Sequence, residues 1–122
     1  MDTHGDILVV DDNQPIVEFI SEALQDEGYT VRTALDQARA RALIGERRPD
    51  LILVDLHLGS TNGSALVRQL ADLEGANVAL ILMTADNQAA QALALKKGAI
   101  CLLKPFGLDD LIDCVEKHIR LR

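Results

Sequence analysis

Apolar positions along this chain follow two rhythms. Short unbroken runs, Ile7–Val10, Leu51–Val54 and Val78–Met83, each stop at a polar residue, the pattern of strands covered on both faces. Between and after them, Ile16, Val17, Ile20 and Leu24, then Leu66, Leu70 and Leu73, then Leu108, Leu111, Ile112, Val115 and Ile119 keep helical spacing. Leu51 to Asp55 is the clearest segment: a buried run, bounded by Pro49-Asp50 and His57-Leu58-Gly59, that delivers one carboxylate to an exposed tip. Ile7–Val10 repeats the pattern with Asp11-Asp12 at its end.

Punctuation residues set the boundaries. Pro15 suits a first helical turn, the helix runs Ile16 to Glu27, and Gly28 stops it. Thr30, Val31 and Thr33 mark a second strand over Tyr29 to Ala34, more exposed and nearer an edge. Asp36 caps a helix that reaches about Ile44 and ends at Gly45. After a loop from His57 to Asn62, a helix spans Gly63 or Ser64 to Leu73. The fourth strand ends at Thr84, an Ala- and Leu-rich helix covers Asn87 to Lys97, Ala99 to Leu103 is the fifth strand, and the last helix runs from Leu108 to about Arg120.

This alternation predicts an α/β fold: a five-stranded parallel doubly wound sheet with five flanking helices, forming one domain over residues 1–122. With strand order 2-1-3-4-5, the winding reverses between the first and third strands, and Asp11, Asp12 and Asp55 share the crevice at their carboxyl ends.

Composition narrows the function. At 122 residues, 48% hydrophobic and 25% charged, the chain suits a single globular core, and no apolar run approaches the ~18 residues of a membrane span. A net charge of -7 argues against nucleic-acid binding, and Arg39, Arg41, Arg47 and Arg48 read as a solvated face. Cys101 and Cys114 lack metal-ligand spacing and suit buried reduced thiols. The acidic start, Met1 to Asp6, lacks the basic and apolar segments of an export signal, so the expected location is cytoplasmic.

Three neighbouring carboxylates repel by about 1 to 4 kcal/mol per pair, so something must offset them. A hard divalent cation, Mg²⁺ or alternatively Mn²⁺, prefers such oxygens, whereas zinc would want His or Cys. Solvated acids and a loop-capping Asp55 are the plain alternatives. Thr84 and Lys104 weigh against these, adding a hydroxyl and an ammonium at the same edge of the sheet. Together these are the parts for moving a phosphoryl group onto Asp55.

Val9-Val10-Asp11-Asp12-Asn13, Leu53-Val54-Asp55 followed by Gly63, Met83-Thr84-Ala85 and Lys104-Pro105-Phe106 stand in order at the strand ends. In these residues the chain resembles the receiver domain of two-component response regulators over essentially its whole length. The resemblance implies that Asp55 is the phosphoacceptor and that Asp12 binds Mg²⁺ directly, Asp11 directly or through water, with the backbone carbonyl of His57 completing the protein ligands. It implies that Lys104 pairs with phosphoryl oxygens, that Thr84 hydrogen-bonds the phosphoryl group, and that the Lys104-Pro105 peptide is cis. The implied partners are a histidine kinase or histidine phosphotransfer protein and an output partner or domain, signalled to through the fourth helix, fifth strand and last helix. A homodimer through the fourth and fifth helices is left open, as is whether the chain stands alone. On this reading, Lys104→Ala leaves metal binding largely intact and weakens the phosphoryl-dependent response.

The chain departs from the family in two places. Cys101 stands where the family carries a Tyr or Phe three residues before the Lys, and Gly59 where it often has Pro. His57 and Asp86 either flank the phosphoryl group or simply face water. Competing readings are a silent protein-binding module with this fold, an aspartyl phosphatase, which would want an Asp-x-Asp pattern where His57 stands, and a nucleotide-binding module, whose phosphate Asp11-Asp12 would repel.

Overall fold

The computed structural model describes residues 5–55, 57–58, 61–62, 78–84, 100–104 and 106–119. In chain order they form β1 (Asp6–Val10), α1 (Gln14–Asp26), β2 (Thr30–Ala34), α2 (Gln37–Glu46), β3 (Leu51–Asp55), β4 (His57–Leu58), β5 (Thr61–Asn62), β6 (Ala79–Thr84), β7 (Ile100–Leu103) and α3 (Leu108–Ile119). Five of the strands are parallel and lie in the order β2-β1-β3-β6-β7, which is the expected 2-1-3-4-5 among the strands of that sheet. The helices expected over residues 63–73 and 87–97 lie outside the described residues.

Strand side chains alternate between faces, and the unbroken apolar runs feed a core on each. Ile7, Val9, Leu51, Leu53, Ile81 and Met83 pack with Val17, Ile20 and Leu24 of α1 and Leu111, Val115 and Ile119 of α3. Leu8, Val10, Ile52, Val54, Leu80 and Leu82 pack with Ala40 and Leu43 of α2 on the other face. Every residue of β3 is buried, as its central place requires, whereas edge strand β2 buries only Ala34. Each fully buried Leu or Ile contributes roughly 1.5 to 3 kcal/mol relative to exposure, so this sheet is a rigid base for its polar ends.

Local chemistry explains the helix limits. α1 starts two residues before Ile16 because the Asn13 side chain accepts the Ile16 N–H at 3.2 Å and Pro15 fits the first turn. It stops where Gly28 takes φ +101°, a conformation costly for a side chain. Asp36 caps α2 by accepting the Arg39 N–H at 2.8 Å, as expected. Gly45 does not end that helix; it lies inside Gln37–Glu46 with open space around it. Arg32 is the reason, donating to the carbonyls of both Leu43 and Arg47 at 2.7 Å and so fastening the last turn to β2.

Two further expectations are corrected. His57 to Asn62 was expected as a loop; instead His57–Leu58 pairs antiparallel with Thr61–Asn62. Gly59-Ser60 between them is a two-residue hairpin signal. Arg47 belongs to no merely solvated basic face: although 61% exposed, its Nε lies 2.6 Å from Asp6 Oδ2.

That contact is part of a polar cluster at the amino end of the sheet. Asp6 also receives Arg32 Nε and Nη2, each at 3.3 Å, and its own backbone N–H donates to Asp50 Oδ2 at 2.9 Å. Gly5 at φ +121° lets the chain pass beneath: a Cβ there would meet Ile119 Cδ1 at 2.9 Å and Asp50 Oδ2 at 3.1 Å. None of the described helices is long and apolar enough to cross a membrane.

Candidate functional site

Register brings the acids together. Val10 pairs with Val54 across β1 and β3, so Asp11 and Asp55, one residue further along parallel strands, emerge side by side. Across β6 and β7, Thr84 pairs with Leu103, so Lys104 follows at the same edge, its N–H donating to the Thr84 carbonyl at 2.8 Å. Asp55 continues the face of Leu51 and Leu53, which carries α1 and α3; alternation gives Thr84 the opposite face, that of Leu80 and Leu82.

Asp11, Asp12 and Asp55 each offer a carboxylate oxygen, all within 4.8 Å of one another. Lys104 Nζ lies 3.1 Å from Asp11 Oδ2 and 3.5 Å from Asp55 Oδ2. Asp11 and Thr84 are wholly buried, Asp12 is exposed, and the Asp55 side chain is 8% exposed. The expectation of an exposed tip is therefore corrected: the sheet stays covered to the end of β3, and the Lys104 ammonium lies 3.5 Å from the carboxylate.

One participant escaped the sequence reading. The Asn13 backbone N–H donates to Asp11 Oδ1 at 3.0 Å while its side chain caps α1, so the helix start itself orients the buried acid. An Asn directly after Asp11-Asp12 and before a Pro-led helix was the available signal. For His57, the described backbone is paired with Asn62. Asp86 and Pro105, and with it the expected cis peptide, lie outside the described residues, as does the Cys101 side chain; its backbone pairs with Leu82.

Cys114 differs from the expectation of a buried thiol: it is free but only half-buried. Burial pushes its thiol above the ordinary range, Asp113 adds to the rise, and Lys117 opposes it.

The donor set fits a hard cation. Among the described residues, three carboxylates face one ammonium, so two formal negative charges remain there for a divalent ion to offset, and the side-chain donors of the cluster are oxygens.

Fold and site together define a class: doubly wound α/β domains with an acidic pocket opposed by lysine at the carboxyl end of the sheet. The sequence profile of the response regulator receiver domain matches residues 7–116, and the chain belongs to that family. It is 36% identical over 117 residues to the nitrogen assimilation regulatory protein NtrX of Azorhizobium caulinodans, covering 93% of this chain and 26% of that protein. It is 30% identical over 118 residues to sporulation initiation phosphotransferase F of Bacillus subtilis, covering 95% of this chain and 94% of that protein. The crystal structure of the receiver domain of NtrX from Brucella abortus matches with a TM-score of 0.86 at 31% identity, over 96% of this chain and 100% of that one. The chain thus spans about a quarter of the first relative and nearly all of the second. Receiver domains are signalling domains, and phosphorylation on Asp is their general function.

Proposed function

We propose that the whole chain is one receiver unit of a cytoplasmic two-component pathway, with Asp55 as its phosphoacceptor. The supporting observation is the convergence of Asp11, Asp12 and Asp55 oxygens within 4.8 Å, with Lys104 Nζ 3.5 Å from Asp55. The donor is a phosphohistidine on a kinase or phosphotransfer protein, or a small phosphodonor. An Asp55 oxygen attacks phosphorus in line, the bond from phosphorus to the donor nitrogen breaks with its electron pair leaving on the imidazole, and an acyl phosphate forms.

Lys104 donates to the transferring oxygens in a pocket where little water competes, which strengthens the interaction. The added charge draws Thr84 inward from the opposite face to hydrogen-bond the product. Asp11, Asp12 and Asp55, with the backbone carbonyl of His57, would hold Mg²⁺, or Mn²⁺ in its place, and the ion would neutralise phosphoryl charge when bound. The acyl phosphate is later hydrolysed in the same pocket. Output passes through the fourth helix, β7 and α3 without the family's aromatic, since Cys101 stands at its place.

Exposure to a small phosphodonor, with and without Mg²⁺, tests this by intact mass. The chain should gain one phosphoryl group only with Mg²⁺, and Asp55→Asn should gain none. A folded Asp55→Asn variant that is still modified to the wild-type level would remove Asp55 from the reaction.

A further inference from the structure

The last helix carries a pair of side chains that the acid pocket does not use. Cys114, a free thiol, and His118 stand four residues apart on α3, the separation at which two side chains on one helix face can share a metal ion. The ligand spacing that Cys101 and Cys114 lack toward each other is thus present between Cys114 and His118. Cys114 Sγ lies 3.9 Å from His118 Nδ1, and that nitrogen lies 2.7 Å from the Cys114 carbonyl oxygen.

The shorter contact fixes the ring. A carbonyl oxygen only accepts, so in the neutral imidazole Nδ1 holds the proton and donates it there, and Nε2 keeps its lone pair. Metal-binding imidazoles are oriented in this way, one nitrogen on the ion and the other donating to a carbonyl or carboxylate. Sulfur and nitrogen ligands at about 2.3 and 2.0 Å from a tetrahedral ion stand about 3.5 Å apart. With the thiol already 3.9 Å from the ring, rotation of the side chains can bring Sγ and Nε2 to that separation while the helix holds their spacing.

The pair opens on a cleft of about 370 Å³ between β7 and α3, whose lining includes Leu102, Phe106, Asp110 and Asp113 as well as Cys114 and His118. Lys117 lines it too, but its ammonium is paired with Asp113 at 3.2 Å. Among the described residues, two carboxylates against one ammonium leave the cleft attractive to a cation.

We propose that Cys114 Sγ and His118 Nε2 bind a borderline-soft divalent ion of the Zn²⁺ class, at a second site separate from the three carboxylates. As the metal–sulfur bond forms, the S–H bond breaks and its proton passes to solvent, while Nε2 gives its lone pair and loses no proton. Water fills the remaining positions. The two sites sort metals by donor: Mg²⁺ takes oxygens and is a poor match for a thiolate and an imidazole, which suit Zn²⁺.

Titration with Co²⁺ as a spectroscopic stand-in for Zn²⁺, in excess Mg²⁺ and a non-thiol reductant, tests this. A near-ultraviolet thiolate-to-cobalt band should appear and should vanish when Zn²⁺ is added, since Zn²⁺ binds such donors more tightly than Co²⁺. Cys114→Ser should abolish the band, and Cys101→Ser should keep it. His118→Gln should weaken Co²⁺ binding at least about tenfold, the cost seen even when only a ligand's supporting partner is lost. No band in wild type, a band that survives Cys114→Ser, or an unchanged affinity in His118→Gln would overturn the proposal.

A measurement on wild type covers the case in which a variant does not fold. The His118 Nε2 nitrogen resonance should shift when Zn²⁺ is added in excess Mg²⁺, while Nδ1 keeps its proton. Ring nitrogens that Zn²⁺ leaves unmoved would show that the pair is no ligand set.

Discussion

The two ends of the sheet solve the same problem in opposite ways. At the amino end, Asp6 is met by two guanidinium groups, Arg32 and Arg47, and Arg32 spends its remaining donors on the carbonyls of Leu43 and Arg47. At the carboxyl end, Asp11, Asp12 and Asp55 cluster, and among the described residues one ammonium, Lys104, pairs with Asp11 and Asp55. The first cluster is completed by covalently attached partners and acts as a fastening between β1, β2 and the end of α2. Among the described residues the second is short of positive charge, which is a stability cost that binding something from outside the chain can relieve. A polar cluster's charge balance, rather than its burial, separates the structural end from the functional one.

The largest effect that bears on this contrast is at Asp6. With an Asp6 side chain only 14% exposed and Arg32 at 15%, Asp6→Ala leaves a half-enclosed guanidinium without its counter-ion and should cost about 2 to 3 kcal/mol. Urea denaturation reads this directly. Arg47→Ala, at a 61% exposed position, should cost well under half as much. Equal losses at the two positions would mean that the fastening is not centred on the Asp6–Arg32 pair.

At the other end the sign should reverse. Asp12 is exposed and no described side chain pairs with it in an ion pair, so Asp12→Asn removes repulsion from Asp11 and Asp55 and should raise stability, by a few tenths to about 1 kcal/mol in metal-free, low-salt buffer. The gain should shrink as salt or Mg²⁺ is added, for both already screen the acids. Denaturation midpoints with and without Mg²⁺ measure it; a loss of stability on removing the charge would show that the carboxyl end is as well balanced as the amino end.

Much of the functional end was legible because it is written in local patterns. An apolar run that ends in Asp announces a strand and its tip together, and parallel register then puts Asp11 beside Asp55 and Lys104 beyond Thr84. The amino end was not legible, because its bonds join residues far apart in sequence: Asp6 reaches Arg32 and Arg47, and nothing near any of the three signals the others. Gly45 misled for the same reason. Its local signal says helix stop, but the Arg32 hydrogen bonds override it from β2. Burial at the tip was also missed, since the reach of Lys104 across two strands is a tertiary fact. The hairpin after Asp55 has its signal in Gly59-Ser60, which the expectation of a loop from His57 to Asn62 passes over.

The smallest effect concerns a third way of handling crowded acids, at Tyr29, just before β2. Its ring is buried against the α1 and α3 side of the core, and its hydroxyl is held above the ordinary phenol pKa first by that burial and then by Glu116 and Glu27. Here the chain avoids a further negative charge by keeping the proton rather than recruiting a cation. The folded state therefore holds the proton more tightly than the unfolded chain, so this contribution is fully present below the unfolded value of 10.0 and is lost as pH rises through the folded value. Stability near neutral pH should not depend on it, and unfolding free energy should begin to fall only at strongly alkaline pH. With one Tyr and no Trp in the chain, phenolate absorbance reports this group alone. Glu116→Gln should move the transition toward, but not to, the ordinary value, because burial is the larger cause; a full return would make charge, and not burial, the rule at this end as well.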